Sequence, residues 1–387
     1  MRSGNKKCRV CRGSLEDLLF YKNMPKAAQH LPDEIDILDE KGEDLEVLQC
    51  LGCGLVQLGN TPVPYYREVI RASAFSEEMK QFRISQFEEF VQKYNLKGEK
   101  VVEVGCGCGE YLSIMDKAGA NVYGIEHSPD SVKRCLQEGF KVQNAYLDSE
   151  SSALSESPFK GFYILNFLEH FPFPRESLSA LYNNLEEGAI GLVEVPNFDM
   201  ILRGKLFSEF ISDHLLYFTK DTLNRMLSMC GFEVLECKEI WYDYIISAVV
   251  KKRKPLNISN FYEHQTRIQK DIESFINRHK HSGVAVYGAG HQSFAILSLT
   301  NLQNKVKYVI DDALFKQGKF TPATHIPIVP AKKLNLDPVG GVIIMAGGYS
   351  DEVAKKLFKN NKHSFEISIL RDFGLETYLG EHSVRAR

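Results

Sequence analysis

The sequence predicts an α/β protein with two doubly wound, Rossmann-like sheets in tandem behind a small four-cysteine module. Three observations carry this. Two Cys-x-x-Cys pairs, Cys8-Arg-Val-Cys11 and Cys50-Leu-Gly-Cys53, stand near the start. Short apolar runs then alternate with helical patterns, the order expected of a parallel sheet. Two of those runs, Val101-Val102-Glu103-Val104 and Val284-Ala285-Val286-Tyr287, lead straight into glycine-rich turns. The 387 residues leave room for two or three domains at about 150 residues each, and the expected boundaries are 1–68, 69–254 and 255–387. Apolar residues at 44% and charged residues at 25% are ordinary for a globular chain. A net charge of −3 supplies no basic field, which argues against nucleic acid or an anionic membrane as main partner. The polar start and the lack of a long apolar stretch point to a cytoplasmic protein.

Nine cysteines in such a chain suggest metal binding or catalysis before a disulfide framework. Each Cys-x-x-Cys turn sets two sulfurs one ligand edge apart, so Cys8, Cys11, Cys50 and Cys53 can close a tetrahedron around a structural Zn²⁺ with no position left for water. A redox role would need one such pair inside a βαβ unit, and none surrounds these. Pro25, Pro32 and the acidic run 33–46 read as an excursion loop between the knuckles.

A helix is expected over 76–94, with Met79, Phe82, Phe87, Phe90, Val91 and Tyr94 at helical intervals and Ser76 as N-cap ahead of Glu77 and Glu78. The strands of the first sheet are read at 101–104, 122–125, 161–165 and 189–193, and the basic run ending at Pro255 as a linker. A helix bearing Ile268, Ile272, Phe275, Ile276 and His279 then leads into the second sheet, with strands at 284–287, 307–310 and 341–345.

The first glycine turn, Glu103-Val104-Gly105-Cys106-Gly107-Cys108-Gly109-Glu110, carries the most chemistry. A dinucleotide fingerprint wants glycine where Glu110 stands. An acidic turn repels a diphosphate but suits an amino group or a sulfonium, so the expected ligand is S-adenosylmethionine. At the end of the next strand Glu126 offers a carboxylate for both ribose hydroxyls. Over residues 76–250 the chain resembles class I S-adenosylmethionine-dependent methyltransferases. That resemblance implies that Glu103, Gly105 and Gly107 line the methionine end, that Glu126 with His127 holds the ribose, and that Asn166, Phe167, Leu168 and His170 border the sulfonium. Cys106 and Cys108 read as small residues in a crowded loop.

The order of modules resembles the nucleotide-sugar C-methyltransferases of deoxysugar biosynthesis over nearly the whole chain. The resemblance rests on Asn23-Met24-Pro25, Gly52-Cys53-Gly54-Leu55-Val56-Gln57-Leu58, Asp213-His214-Leu215-Leu216-Tyr217-Phe218-Thr219, Tyr287-Gly288-Ala289-Gly290, and the stretch from Asp311-Asp312 to Ile328. It implies methylation at C3 of a nucleotide-linked 4-keto-6-deoxy sugar through an enolate, with His214 as base and Asp213 orienting its ring. Tyr65, Tyr66 and Tyr217 are the implied donors to the enolate or grips on the nucleotide, and the C-terminal domain is the implied sugar-nucleotide binder. Three departures stand out. Asp213 replaces the family's usual Glu, His291-Gln292-Ser293 follows Gly290 where many relatives carry a lysine, and Trp241-Tyr242-Asp243-Tyr244-Ile245-Ile246-Ser247 stands where many have a glycine-serine turn. O- or N-methylation of a related small molecule is the nearest rival. An NAD-dependent oxidoreductase using Gly288, Gly290, Ser293 and Asp311 or Asp312 is the rival of another class.

Overall fold

The computed structural model describes residues 6–26, 31–34, 37, 40–67, 76–360, 365–380 and 383–385. The expected boundary at 68/69 lies outside the described residues. The chain forms two compact units, Met1–Pro255 and Leu256–Arg387.

The first unit contains two sheets. Its strands and helices are β1 (Leu15–Met24), β2 (Glu43–Cys50), β3 (Val56–Leu58), α1 (Glu77–Lys93), β4 (Lys100–Val104), α2 (Glu110–Lys117), β5 (Asn121–Glu126), α3 (Pro129–Gln137), β6 (Lys141–Asn144), β7 (Phe159–Leu165), α4 (Pro174–Asn183), β8 (Leu185–Pro196), α5 (Phe198–Gly204), β9 (Leu216–Tyr217), α6 (Lys220–Met229), β10 (Phe232–Ile240) and β11 (Ile245–Lys252). The larger sheet runs β10-β11-β8-β7-β4-β5-β6. It is parallel from β8 to β6, while β11 and β10 close its edge as an antiparallel pair. The sheet is therefore mixed. The chain turns back at Trp241, Tyr242 and Asp243, all in the left-handed region, and what reads as a basic linker is strand up to Lys252, whose Nζ donates to the Tyr182 and Leu185 carbonyls.

Alternation along the strands explains why both faces are covered. Val102, Phe162, Ile164 and Val193 join α4 and α6 in one core. Val101, Tyr163, Leu165 and Leu192 join α1 and α2 in the other, as a parallel sheet buried on two sides requires. α1 starts where Ser76 Oγ accepts the Met79 N–H. The connections reverse between β4 and β7, and that switch point is where α/β sheets open a ligand crevice.

The smaller sheet is antiparallel, in the order β1-β2-β3-β9. The end of the expected excursion loop is strand, since β2 begins at Glu43. Its fourth strand is contributed from far along the chain: Val56 pairs with Tyr217 and Gln57 with Leu216.

The second unit contains α7 (Asn260–Arg278), β12 (Val284–Tyr287), α8 (His291–Leu299), β13 (Val309–Ile310), β14 (Ile328–Val329), α9 (Lys333–Leu336), β15 (Gly341–Ile344), α10 (Ser350–Asn360), β16 (Glu366–Arg371), β17 (Gly374–Tyr378) and β18 (Ser383–Arg385). Its sheet, β14-β13-β12-β15-β16-β17-β18, is parallel through β16 and antiparallel beyond. Val284 and Val286 face one core while Ala285 and Tyr287 face the other. Among the described residues no helix is long and apolar enough to cross a membrane.

Candidate active site

The turn after β4 is a strap of glycines. Gly105, Gly107 and Gly109 take φ of 78°, 55° and 92°, a region that side chains disfavour. The Gly105 and Cys106 N–H groups donate to the Ile125 carbonyl at 2.9 and 3.1 Å, which ties the turn to β5. Glu126 completes the tie: its carboxylate accepts the Gly107 N–H at 2.9 Å and the Ser128 N–H at 2.8 Å. A carboxylate at this place, at the end of the strand beside the glycine turn, is where a doubly wound nucleotide site accepts ribose hydroxyls. Asn144 Nδ2 caps the adjoining carbonyls of Glu126 and His127 at 3.0 and 2.7 Å. Beside the switch point, β4 and β5 carry the buried carboxylates Glu103 and Glu126. Buried negative charge calls for a positive partner, so this crevice fits the sulfonium and ammonium of S-adenosylmethionine and opposes a diphosphate.

The turn 168–170 after β7 meets the loop 211–215. The Leu215 N–H donates to the Glu169 carbonyl at 2.9 Å, and His170 Nδ1 lies 2.8 Å from the Asp213 carbonyl oxygen. The His170 and His214 rings stand edge to face, 4.9 Å between centroids. Burial, reinforced for His214 by His170, lowers both imidazole pKa values, His214 to about 3. Each ring therefore keeps a lone pair at neutral pH. Burial raises the Glu169 carboxyl to about 8.

The expected catalytic residues divide. The Asp213 carboxylate accepts the Tyr65 hydroxyl at 2.7 Å, and its carbonyl orients His170. Tyr217 anchors its own loop: its buried hydroxyl accepts the Ile211 N–H at 3.0 Å and donates to the Ile211 carbonyl at 3.3 Å. Tyr66 accepts from Arg67 Nε at 3.0 Å, and both sit against Tyr146, whose ring also meets His127. Among the expected cofactor residues, Phe167 and Leu168 send their side chains into the core. Asn166 is exposed, its backbone left-handed and its N–H bonded to the Glu194 carbonyl.

Two features are missing from the sequence reading. Glu169 lies next to His170 yet carries no local signal of its burial. Arg83 on α1, its side chain 2% exposed, pairs with the Glu194 carboxylate on β8, which also accepts from Gln86, locking α1 over the sheet.

The four cysteines form the donor set of a tetrahedral thiolate site. All four sulfurs lie within 4.8 Å of one another, with Cys8–Cys53 at 3.7 Å and Cys11–Cys50 at 3.3 Å. About 3.8 Å between sulfurs is what Zn–S bonds of about 2.3 Å produce. Backbone N–H groups of Val10, Cys11, Gly13, Gly52 and Cys53 point at Cys8, Cys11 and Cys50 sulfurs at 3.3–3.5 Å, as the outer shell of such a site does. A Cβ on Gly13 would come within 3.1 and 3.2 Å of two of the sulfurs.

In the second unit Asp311 accepts the Ala289 N–H at 2.8 Å and Lys316 Nζ at 3.0 Å, so this carboxylate braces its own glycine turn. Asp312 takes the Tyr287 hydroxyl and Lys356. His291 is exposed at the first residue of α8.

This fold and crevice define an S-adenosylmethionine-dependent methyltransferase of class I. Residues 75–237 match a family model described as a methyltransferase domain, and residues 250–366 one described as a C-methyltransferase C-terminal domain. C-methyltransferase NovU of Streptomyces niveus is 23% identical over 402 aligned positions, covering 94% of this chain and 95% of that protein. Over nearly its whole length the chain is thus similar to a C-methyltransferase. The ubiquinone biosynthesis O-methyltransferase of Methylococcus capsulatus is 30% identical over 136 residues, 33% of this chain and 56% of that protein. A solved S-adenosylmethionine-dependent methyltransferase from Clostridium acetobutylicum superposes with a TM-score of 0.39 at 13% identity, over 49% of this chain and 96% of that one.

Proposed function

We propose that the enzyme methylates C3 of a nucleotide-linked 4-keto-6-deoxy sugar, with His214 removing the C3 proton. The reading rests on the whole-chain resemblance. The observation that supports it is the neutral imidazole pair beside the cation-fitting crevice at the end of β7. A C–H next to a ketone can be deprotonated when a base is held within about 3 Å of it and the enolate oxygen meets a donor. In this reading the His214 lone pair takes the proton and Tyr65 or Tyr66 supplies the donor. Glu126 and the glycine strap bind and orient the cofactor, whose sulfonium, when bound, supplies an electrophilic methyl group. Holding both partners in line itself removes about 7–11 kcal/mol of barrier. The four cysteines hold a structural Zn²⁺, and the second unit binds the nucleotide of the sugar.

The test offers 4-keto sugar nucleotides with S-adenosylmethionine and locates the new methyl by product NMR. A methyl on C3, absent with a His214→Gln variant that still binds S-adenosylmethionine, is the expected result. A methyl on oxygen or nitrogen, or full turnover by the variant, overturns the reading.

A further inference from the structure

The side chains at the end of β7 contain an arrangement that proton abstraction does not explain. Besides the four cysteines, Glu169, His170 and His214 are the other group among the described residues that brings three metal-ligating atoms within 4.8 Å of one another.

The roles of these atoms follow from their partners. A carbonyl oxygen has no hydrogen to give, so His170 Nδ1, 2.8 Å from the Asp213 carbonyl, carries the hydrogen, and the neutral ring presents Nε2 as a lone pair. That Nε2 lies 3.9 Å from Glu169 Oε1, and His214 Nε2 lies 4.0 Å from the same oxygen. The Glu169 side chain is 2% exposed, and its other oxygen is buried without a hydrogen-bond partner. The Glu169 carboxyl therefore faces the Nε2 atoms of two imidazoles. A buried carboxyl needs an electropositive partner to ionise, and a cation held between it and the two imidazoles supplies one.

Two imidazoles and one carboxylate are a donor set that suits first-row divalent metals. The bond from His170 Nδ1 to a backbone carbonyl is the usual way a metal-binding imidazole has its tautomer and ring orientation fixed. Ligands about 2.1 Å from one ion stand roughly 3.0–3.5 Å apart, so the two imidazole nitrogens, 3.9 and 4.0 Å from Glu169 Oε1, must draw in toward it by about 0.5–1 Å. The two histidine side chains, 23% and 24% exposed, have the freedom to turn.

We propose that Glu169, His170 and His214 form a binding site for a divalent first-row transition-metal ion, separate from the four cysteines, and that an ion held there blocks proton abstraction by occupying the His214 lone pair. The inhibitory half rests on the reading of His214 as base, whereas the metal site does not.

The test titrates Co²⁺ into the full-length protein after its thiolate site has been filled with Zn²⁺, following binding by calorimetry and visible absorption. The expected result is one equivalent of cobalt with the weak bands of nitrogen and oxygen ligation, without intense thiolate bands. Affinity should fall at least ten-fold in both Glu169→Gln, which keeps the shape and removes the charge, and His170→Ala. Absence of cobalt binding beyond the zinc site, or unchanged affinity in two variants with wild-type circular dichroism, overturns the site. With the site occupied, turnover should be lost. Stimulation by cobalt would overturn the inhibitory half and the His214 base together, leaving the binding result standing.

Discussion

At the scale of single residues, the site depends on buried carboxylates whose partners come from other parts of the chain. Glu126 grips the glycine turn through Gly107 and the start of α3 through Ser128. A hydrogen bond to a charged group contributes about 1.5–3 kcal/mol, so Glu126→Gln should weaken S-adenosylmethionine binding roughly 10- to 100-fold by calorimetry. Tyr65 donates to Asp213, which is 4% exposed. Removing that hydroxyl in Tyr65→Phe leaves the carboxylate short of a partner, and kcat should fall while the Kd for S-adenosylmethionine stays at the wild-type value. A drop in cofactor affinity of the same size would show that Tyr65 acts at the cofactor pocket instead.

At the scale of elements, two long-range ties hold the crevice. The loop 211–215 is fixed by Tyr217 gripping Ile211 and by Leu215 on Glu169. Tyr217→Phe removes two hydrogen bonds worth about 1 kcal/mol each. A lower Tm and a lower kcat should appear together, with the cofactor Kd unchanged; an unchanged Tm would refute the anchor. Arg83 and Glu194 lock α1 to β8 inside the core. Breaking a buried ion pair by removing one partner costs about 3–5 kcal/mol, so Arg83→Met should lower the urea midpoint of the first unit markedly. Arg83→Met combined with Glu194→Leu should recover much of the loss, because no unpaired charge then remains. Neither tie has a local pattern in the sequence. Leu216–Tyr217 is a two-residue strand, too short for any periodicity, and Arg83 reads as an exposed cation until the far-off Glu194 is placed beside it.

At the scale of the whole first unit, the four-cysteine segment and the methyltransferase sheet are not independent. Cys8, Cys50, Cys53 and Leu55 share a core with Leu215, Leu216, Phe218 and Leu223, and β3 pairs with β9 directly after His214. Stripping the proposed metal from the thiolates, by chelation or by Cys11→Ser, should therefore reduce turnover as well as stability; full activity in a metal-free protein would show that the strand pairing does not transmit the loss. The sequence alone determined what depends on neighbours along the chain. It marked the paired cysteine knuckles, the glycine turn that admits close backbone approach, the carboxylate one strand later, and the alternating runs of both large sheets, because each is a local spacing that steric and ligand geometry impose. Only the tertiary structure decided that Asp213 orients His170, that Tyr217 is spent on its own loop, that the N-terminal sheet borrows its last strand from beside His214, and that Glu169 is buried between two imidazoles. Those outcomes arise from contacts between residues far apart in the chain, and burial changes what a carboxylate or an imidazole does without changing its letter in the sequence.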